Sequence, residues 1–231
     1  MNPLAVVIPS RNPANLGPCV DAIWNAGETA RIIVVWDGDG TCTVGINAPW
    51  TVPARGPIEV VAGAKPFRFS VNANIGMRHD PDADCILLND DALLQSPHGF
   101  SLVQSEQARR PEFAIIGATT RVTGQLLQFP QQGPHAGLRL VPHIAFVCVF
   151  IPRSTLNHPA IGYLDESYVC GWEDRDYCEA VNRAGMQIGV HDGCYVDHGS
   201  LVSTVRGPGG KGYDKAGEAT FRAKWNLHGS L

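Results

Sequence analysis

The chain lacks any apolar run near the ~20 residues that a membrane-spanning helix needs. Its longest such run, "IAFVCVFI" at 144–151, has the length of a buried strand. The opening "MNPLAVVIPSRN" has no basic n-region and only a five-residue apolar stretch, so it reads as a first strand and not as a secretory signal. No C-x-x-C pair occurs among the cysteines at 19, 42, 85, 148, 170, 178 and 194, which excludes the common zinc spacings. An odd cysteine count without a signal leads us to expect reduced thiols in a cytoplasmic protein. Several of these cysteines stand in apolar stretches, where Cys acts as a small hydrophobe. Positive charge is not in excess: the formal net charge is −4, which is not the signature of a nucleic-acid binder. Internal repeats and linkers are also missing.

What is present is an ordinary globular composition, 44% hydrophobic and 17% charged in 231 residues, enough for one sizeable α/β domain. Apolar runs recur as "LAVVI" (4–8), "RIIVVW" (31–36), "IEVVA" (58–62), "CILL" (85–88) and "FAIIGA" (113–118). Helical patterns lie between several of them, at about 16–26, 70–79 and 99–110. Near-continuous Val/Ile runs separated by helices predict a mostly parallel sheet covered on both faces. In the second half, "TRVTGQLLQF" (120–129) suggests a hairpin around Gly124, and 144–151 a further strand. "EDRDYCEAVNRAG" (173–185) predicts a helix, with acids in its first turn, Arg183 in its last and Gly185 at the stop.

The polar residues fall where strands end. Pro9, Ser10 and Arg11 follow the first strand, Asp37-Gly38-Asp39 the second, and Asn89, Asp90 and Asp91 the run "CILL". Each alone could be a solvated turn, since Asn and Asp favour turns. In open α/β sheets, however, ligands bind outside the carboxyl ends of the strands. Adjacent carboxylates at such an edge are the oxygen ligands a hard divalent cation takes together with substrate phosphates. Residues 201–231 are basic, with Arg206, Lys211, Lys215, Arg222 and Lys224 against Asp214 and Glu218. A tail of this kind suits an anionic ligand, and "STVRGPGGKGYDKAG" (203–217) is dense in glycine.

Taken in order, "VVIPSRN", "IVVWDGD", "NANIG", "LLNDDALL", "GYLDESYVCGWEDRDYCEAVNRAG" and "VDHGS" resemble the family-2 glycosyltransferases, over roughly residues 4–200. The resemblance implies a single GT-A (Rossmann-like) α/β domain with a flexible C-terminal tail. Its expected bounds are 1–200 for the catalytic domain, with a nucleotide-binding half of about 1–95 and an acceptor half of about 96–200. A basic Gly-rich loop and a C-terminal helix would fill 201–231. It also implies an inverting transfer from a nucleotide-diphosphate sugar, UDP by default, to an acceptor hydroxyl, with Mn2+ or Mg2+.

The roles implied are specific. Pro9, Ser10, Arg11 and Asp37 border the base and ribose, and Asn74 and Arg78, four apart on one helix face, approach the diphosphate. Asn89-x-Asp91 stands for the family's D-x-D, with Asp91 a metal ligand and Asp90 near the ribose or sugar. Asn in the first position is a departure from that pattern and lowers the affinity expected for metal alone. His198 is the second metal ligand. Asp174 takes the acceptor proton, Glu173 orients the acceptor, Trp172 offers it a flat face, and Asp176 is structural. Beyond the stretch of the resemblance, the basic, glycine-dense tail leads us to expect Arg206 and Lys211 at the leaving diphosphate. The acceptor expected is a glycan, a protein or a small molecule; a hydroxymethylated DNA base is an alternative, and no membrane is expected. A sugar nucleotidyltransferase and a non-catalytic nucleotide- or glycan-binding module are the competing functions. The former wants a Gly-rich basic loop after the first strand, of which "PSRNPANLG" is a poor version.

Overall fold

In the computed structural model, residues 1–38, 42, 57–133, 136–169, 171–201 and 215–227 are described. The strands are β1 (Leu4–Ser10), β2 (Arg31–Trp36), β3 (Ile58–Ala62), β4 (Asp84–Leu88), β5 (Leu93–Leu94), β6 (Phe113–Thr119), β7 (Leu138–Leu140), β8 (Cys148–Ile151) and β9 (Gln187–Asp197). The helices are α1 (Pro13–Asn25), α2 (Phe69–His79), α3 (Gly99–Arg109), α4 (Arg153–Leu156), α5 (Glu173–Arg183) and α6 (Lys215–Trp225). Among the described residues these strands form one sheet in the order β3-β2-β1-β4-β8-β6-β9-β5, with β7 also on β9. Strands β3, β2, β1, β4, β6 and β9 run one way, and β8, β7 and β5 run against them. The sheet is therefore mostly parallel, as the Val/Ile runs require.

Period-two alternation divides the core. Ala5, Val7, Ile33, Val35, Cys85 and Leu87 face one layer, closed by Ala73 and Met77 of α2 and by Tyr177, Cys178 and Val181 of α5. Val6, Ile8, Ile32, Val34, Ile86 and Leu88 face the other, closed by Leu16, Cys19 and Ile23 of α1 and by Phe100 and Val103 of α3. Both faces are covered, so the strands have no polar side to show. Gly76 brings α2 onto the sheet: a Cβ there would stand 2.3 Å from Val7 Cγ1 and 2.8 Å from Val35 Cγ2. Gly76→Ala gains about 1 kcal/mol in helix propensity but overpacks this contact, which typically costs 1–3 kcal/mol. We expect a net loss of stability in urea unfolding; a more stable variant would mean that α2 can move outward freely.

The chain departs from the sequence expectations in four places. Helix α1 begins three residues early, because Pro13 occupies the first helical position and the Asn12 side chain accepts from Ala14 N–H at 3.1 Å. The hairpin expected at 120–129 does not form. That segment is irregular, with a 3-10 turn at Leu126–Gln128, and it is fastened by the buried Gln128 amide to Ala118 and Ala145. Only Cys148–Ile151 of the 144–151 run is strand, since Ile144 and Phe146 are spent filling the core beside α5. Strand β9 runs for eleven residues where the sequence shows no alternation regular enough to predict a strand.

Six described cysteines are thiols, five of them buried. Burial pushes the Cys85 thiol up to about 12, so it is inert as a nucleophile. No described helix is long and apolar enough to cross a membrane.

Candidate active site

Because β1, β2, β4 and β9 are co-directional, Ser10, Asp37, Asn89 to Asp91 and His198 all emerge at one edge of the sheet. Asp37 N–H donates to the Ser10 carbonyl at 3.1 Å, and Ser10 Oγ donates to Asp90 Oδ2 at 2.6 Å. Asp37, Asp90 and Asp91 are each only 4% exposed. Pro9 is buried inside β1, whereas Arg11 is exposed with its guanidinium over the Phe67 ring. Asn89 N–H donates to the Val147 carbonyl, which ties the acidic turn to the chain ahead of β8.

Asp91 and His198 meet. The two residues of β5 pair antiparallel with the end of β9, Leu93 opposite Asp197, so the residues flanking that short ladder are brought together. His198 Nε2 lies 3.2 Å from Asp91 Oδ1. The other ring nitrogen, Nδ1, is 2.8 Å from the Val122 carbonyl. A carbonyl only accepts, so Nδ1 carries the hydrogen and a neutral ring directs the Nε2 lone pair at the carboxylate. Two lone pairs facing at that distance repel unless a proton or a cation lies with them. A carbonyl on Nδ1 is also the usual way a metal-binding imidazole is oriented. Asp197 is turned aside, held low in pKa first by the Ser200 hydroxyl and then by Gly199 N–H. No cluster of three or more His, Cys, Asp or Glu suited to a metal occurs among the described residues. Among the described residues a cation here would have two ligands, with substrate oxygens to add to them.

Helix α5 precedes β9 and packs on it, so its first turn lies at the edge where β9 ends. Gly171 and Trp172 are both left-handed, with φ of 78° and 74°, and this turns Glu173 and Asp174 into the start of the helix. Burial, then the neighbouring Asp174 charge, pushes the Glu173 carboxyl up to about 7, and its Oε2 is buried with no hydrogen-bond partner among the described residues. Burial raises Asp174 as well, while the backbone N–H groups of Arg175 and Phe146 pull it back; its Oδ1 accepts from Arg175 N–H at 2.7 Å. Asp174 is thus the acid of the pair anchored by a backbone donor, while the Glu173 Oε2 has none among the described residues.

A stability consequence follows for Glu173. A carboxyl raised from 4.5 to about 7 binds more protons folded than unfolded between those values. Its contribution is full below the lower value and is lost as pH rises through the upper. At 1.36 kcal/mol per unit the loss is roughly 3 kcal/mol at most. Urea unfolding should therefore show Glu173→Gln gaining on the parent protein between about pH 5 and pH 8. Parallel pH curves would mean that Glu173 is not strained by burial.

Other expected site residues have different neighbours. Asn74 is fully buried and gives both ends of its amide to the 164–166 segment: Nδ2 donates to the Leu164 carbonyl and Glu166 Oε1, each at 2.8 Å, and Oδ1 accepts from Leu164 N–H at 3.1 Å. With both amide hydrogens committed and no surface exposed, Asn74 braces the scaffold where a donor contact had been expected. Arg78 also reaches Glu166, at 3.1 Å, and stacks on Tyr163. Trp172, expected to present a flat face to the acceptor, has its ring 5.3 Å from that of Phe221 in α6. Asp176 is the anchor of α6, as a structural role implies: it accepts from Lys224 Nζ and Trp225 Nε1, both at 2.8 Å, and from Tyr168 at 3.1 Å. Asp39, Arg206 and Lys211 lie outside the described residues.

Two polar residues were missed by the sequence reading. Asn72 is fully buried beside Asp37: a Cβ on Gly63 would lie 3.0 Å from Asp37 Cβ and 3.1 Å from Asn72 Oδ1. Its Oδ1 accepts from Ala64 N–H at 2.7 Å, and its Nδ2 has no hydrogen-bond partner among the described residues. The signal was the first Asn of "VNAN", which helical geometry puts on another face from Asn74. Glu166 had no local signal.

No protein-family model and no curated protein matches the chain. Among solved structures it is similar to GalNAc-T7 with UDP, GalNAc and Mn2+, at TM-score 0.65 and 11% identity, covering 86% of this chain and 44% of that one. It is also similar to S. aureus TarS 1-349, at TM-score 0.58 and 11% identity, covering 84% and 60%. The chain thus spans about half the length of these proteins. At such identity the likeness is one of fold, and the fold is GT-A.

Proposed function

We propose that the protein is a metal-dependent inverting glycosyltransferase of the family-2 type, moving a sugar from a nucleotide-diphosphate donor, UDP by default, to an acceptor hydroxyl. The observation that carries this reading is the Asp91–His198 contact at 3.2 Å, with the ring oriented by Val122. Asp91 and His198 would hold Mn2+ or Mg2+, which would supply Lewis-acid neutralisation of the leaving diphosphate. Ser10, Asp37, Asn72 and Asp90 form the adjoining polar patch, suited to the base and ribose, with Pro9 and Asn89 shaping its backbone. Asp174, raised by burial but pulled back by its backbone donors, takes the acceptor hydroxyl's proton as that oxygen attacks the anomeric carbon. Glu173, raised to about 7, shares its titration range with neutral pH and lies beside Asp174 to orient the acceptor. The buried thiols fit a reducing cytoplasm.

Calorimetry of UDP and GDP with and without Mn2+, followed by a nucleotide-release assay over a donor panel, tests the reading. UDP should bind far more tightly with the metal, and Mn2+ alone should bind weakly, since two ligands await it among the described residues. Equal nucleotide affinity with and without Mn2+ would sink the metal-dependent mechanism.

A further inference from the structure

The first turn of α5 carries a cation that the reaction scheme above leaves unused. Most arginines among the described residues meet a carboxylate, as Arg78 does Glu166 at 3.1 Å and Arg139 does Asp192 at 2.9 Å. Arg175 is half-buried and makes no side-chain hydrogen bond or ion pair with any described residue. Arg175, Cys178 and Asn182 are spaced three and four apart and so share one stripe of the helix. Cys178 Sγ contacts the Ile144 carbonyl at 3.8 Å, and Asn182 Nδ2 donates to the Pro142 carbonyl at 3.0 Å. That stripe therefore faces the 142–146 segment, and Arg175 stands at its Phe146 end. On the same segment His143 holds Gln125 Oε1 through Nε2 at 2.6 Å. Burial, and then the Arg175 charge, lowers the proton affinity of His143, which keeps that ring neutral beside the guanidinium.

We propose that Arg175, with His143 and Gln125 beside it, forms a subsite for an oxyanion, phosphate or carboxylate, carried by the acceptor. A guanidinium is a planar fork that pairs with such groups through two parallel bonds. Holding it half-buried without a carboxylate partner is unfavourable until an anion arrives. Its place, one residue from the acid that takes the acceptor's proton, puts the anion on the acceptor's side and not at Asp91 and His198. The Arg175 charge also lowers Asp174. An incoming anion offsets that charge and makes Asp174 a better base when the correct acceptor is in place. The word "acceptor" rests on the transferase reading; the anion subsite itself does not.

Inorganic phosphate is the probe, titrated into the full chain while the His143 ring and Arg175 Nε–H resonances are followed by NMR. Binding should appear at a dissociation constant on the order of 1 mM, weaken tenfold or more in Arg175→Gln, and weaken less in Arg175→Lys, which keeps the charge without the fork. Saturating UDP with Mn2+ should leave phosphate binding in place. Equal binding by the parent protein and Arg175→Gln would overturn the subsite, and displacement by UDP with Mn2+ would reassign the anion to the donor. Calorimetry of UDP with Mn2+ is run beside it on both proteins. It reports whether the variant is folded, and its failure on the parent protein would count against the donor reading alone.

Discussion

Asp174→Asn is expected to lower turnover by a factor on the order of 10² or more while UDP with Mn2+ binds as tightly as before. The amide keeps the shape of the carboxyl and can still accept from Arg175 N–H at the 2.7 Å position. What it cannot do is take a proton. The loss should thus fall on the chemical step and not on the donor. Glu173→Gln should be milder, because a carboxyl raised to about 7 is already partly protonated near neutral pH and an amide imitates the protonated form. It should chiefly shift the acid limb of the rate profile, since the two acids titrate as a pair. If Glu173→Gln proves the more damaging change, with Asp174→Asn tolerated, the roles within the pair are reversed.

Asp91→Ala should remove the dependence of nucleotide binding on Mn2+ altogether. The carboxylate is 5% exposed in its side chain and faces a ring nitrogen whose partner nitrogen is already committed to Val122. Removing it leaves His198 as the one ligand among the described residues, and the diphosphate cannot replace a fixed oxygen on the protein side. His198→Ala should weaken binding less completely, because Asp91 remains. Asp91 and His198 are also in direct contact, so their double variant should cost less than the two single changes combined. Calorimetry at fixed UDP and varied Mn2+ reads all three proteins. Undiminished metal dependence in Asp91→Ala would place the cation elsewhere.

The sheet's parallel half was legible because local chemistry alone specifies it. Runs such as "LAVVI" and "RIIVVW" are apolar on both faces, and only a sheet covered on both sides accommodates that. The acids at the strand ends were legible for a related reason, since a carboxylate following a buried strand has to serve a turn or a ligand. The start and stop of α5 were equally local, with Gly185 at φ 74° where the stop was expected. Longer-range matters were not written in any window of the chain. The two-residue strand β5 has no signal of its own, yet its pairing with β9 brings Asp91 to His198 across a sequence separation of more than a hundred residues. Asn74 and Arg78 were read as open to a ligand because helix periodicity shows which residues share a face but not what that face meets. Folding met it with Glu166. The Trp172 ring was likewise read as free until Phe221 of α6 was found against it. The sequence by itself determined which residues are able to do the chemistry, because functional groups belong to residues. Tertiary structure alone decided which of them meet, which spend their hydrogen bonds on the scaffold, and which, such as Glu173, have a pKa moved by burial.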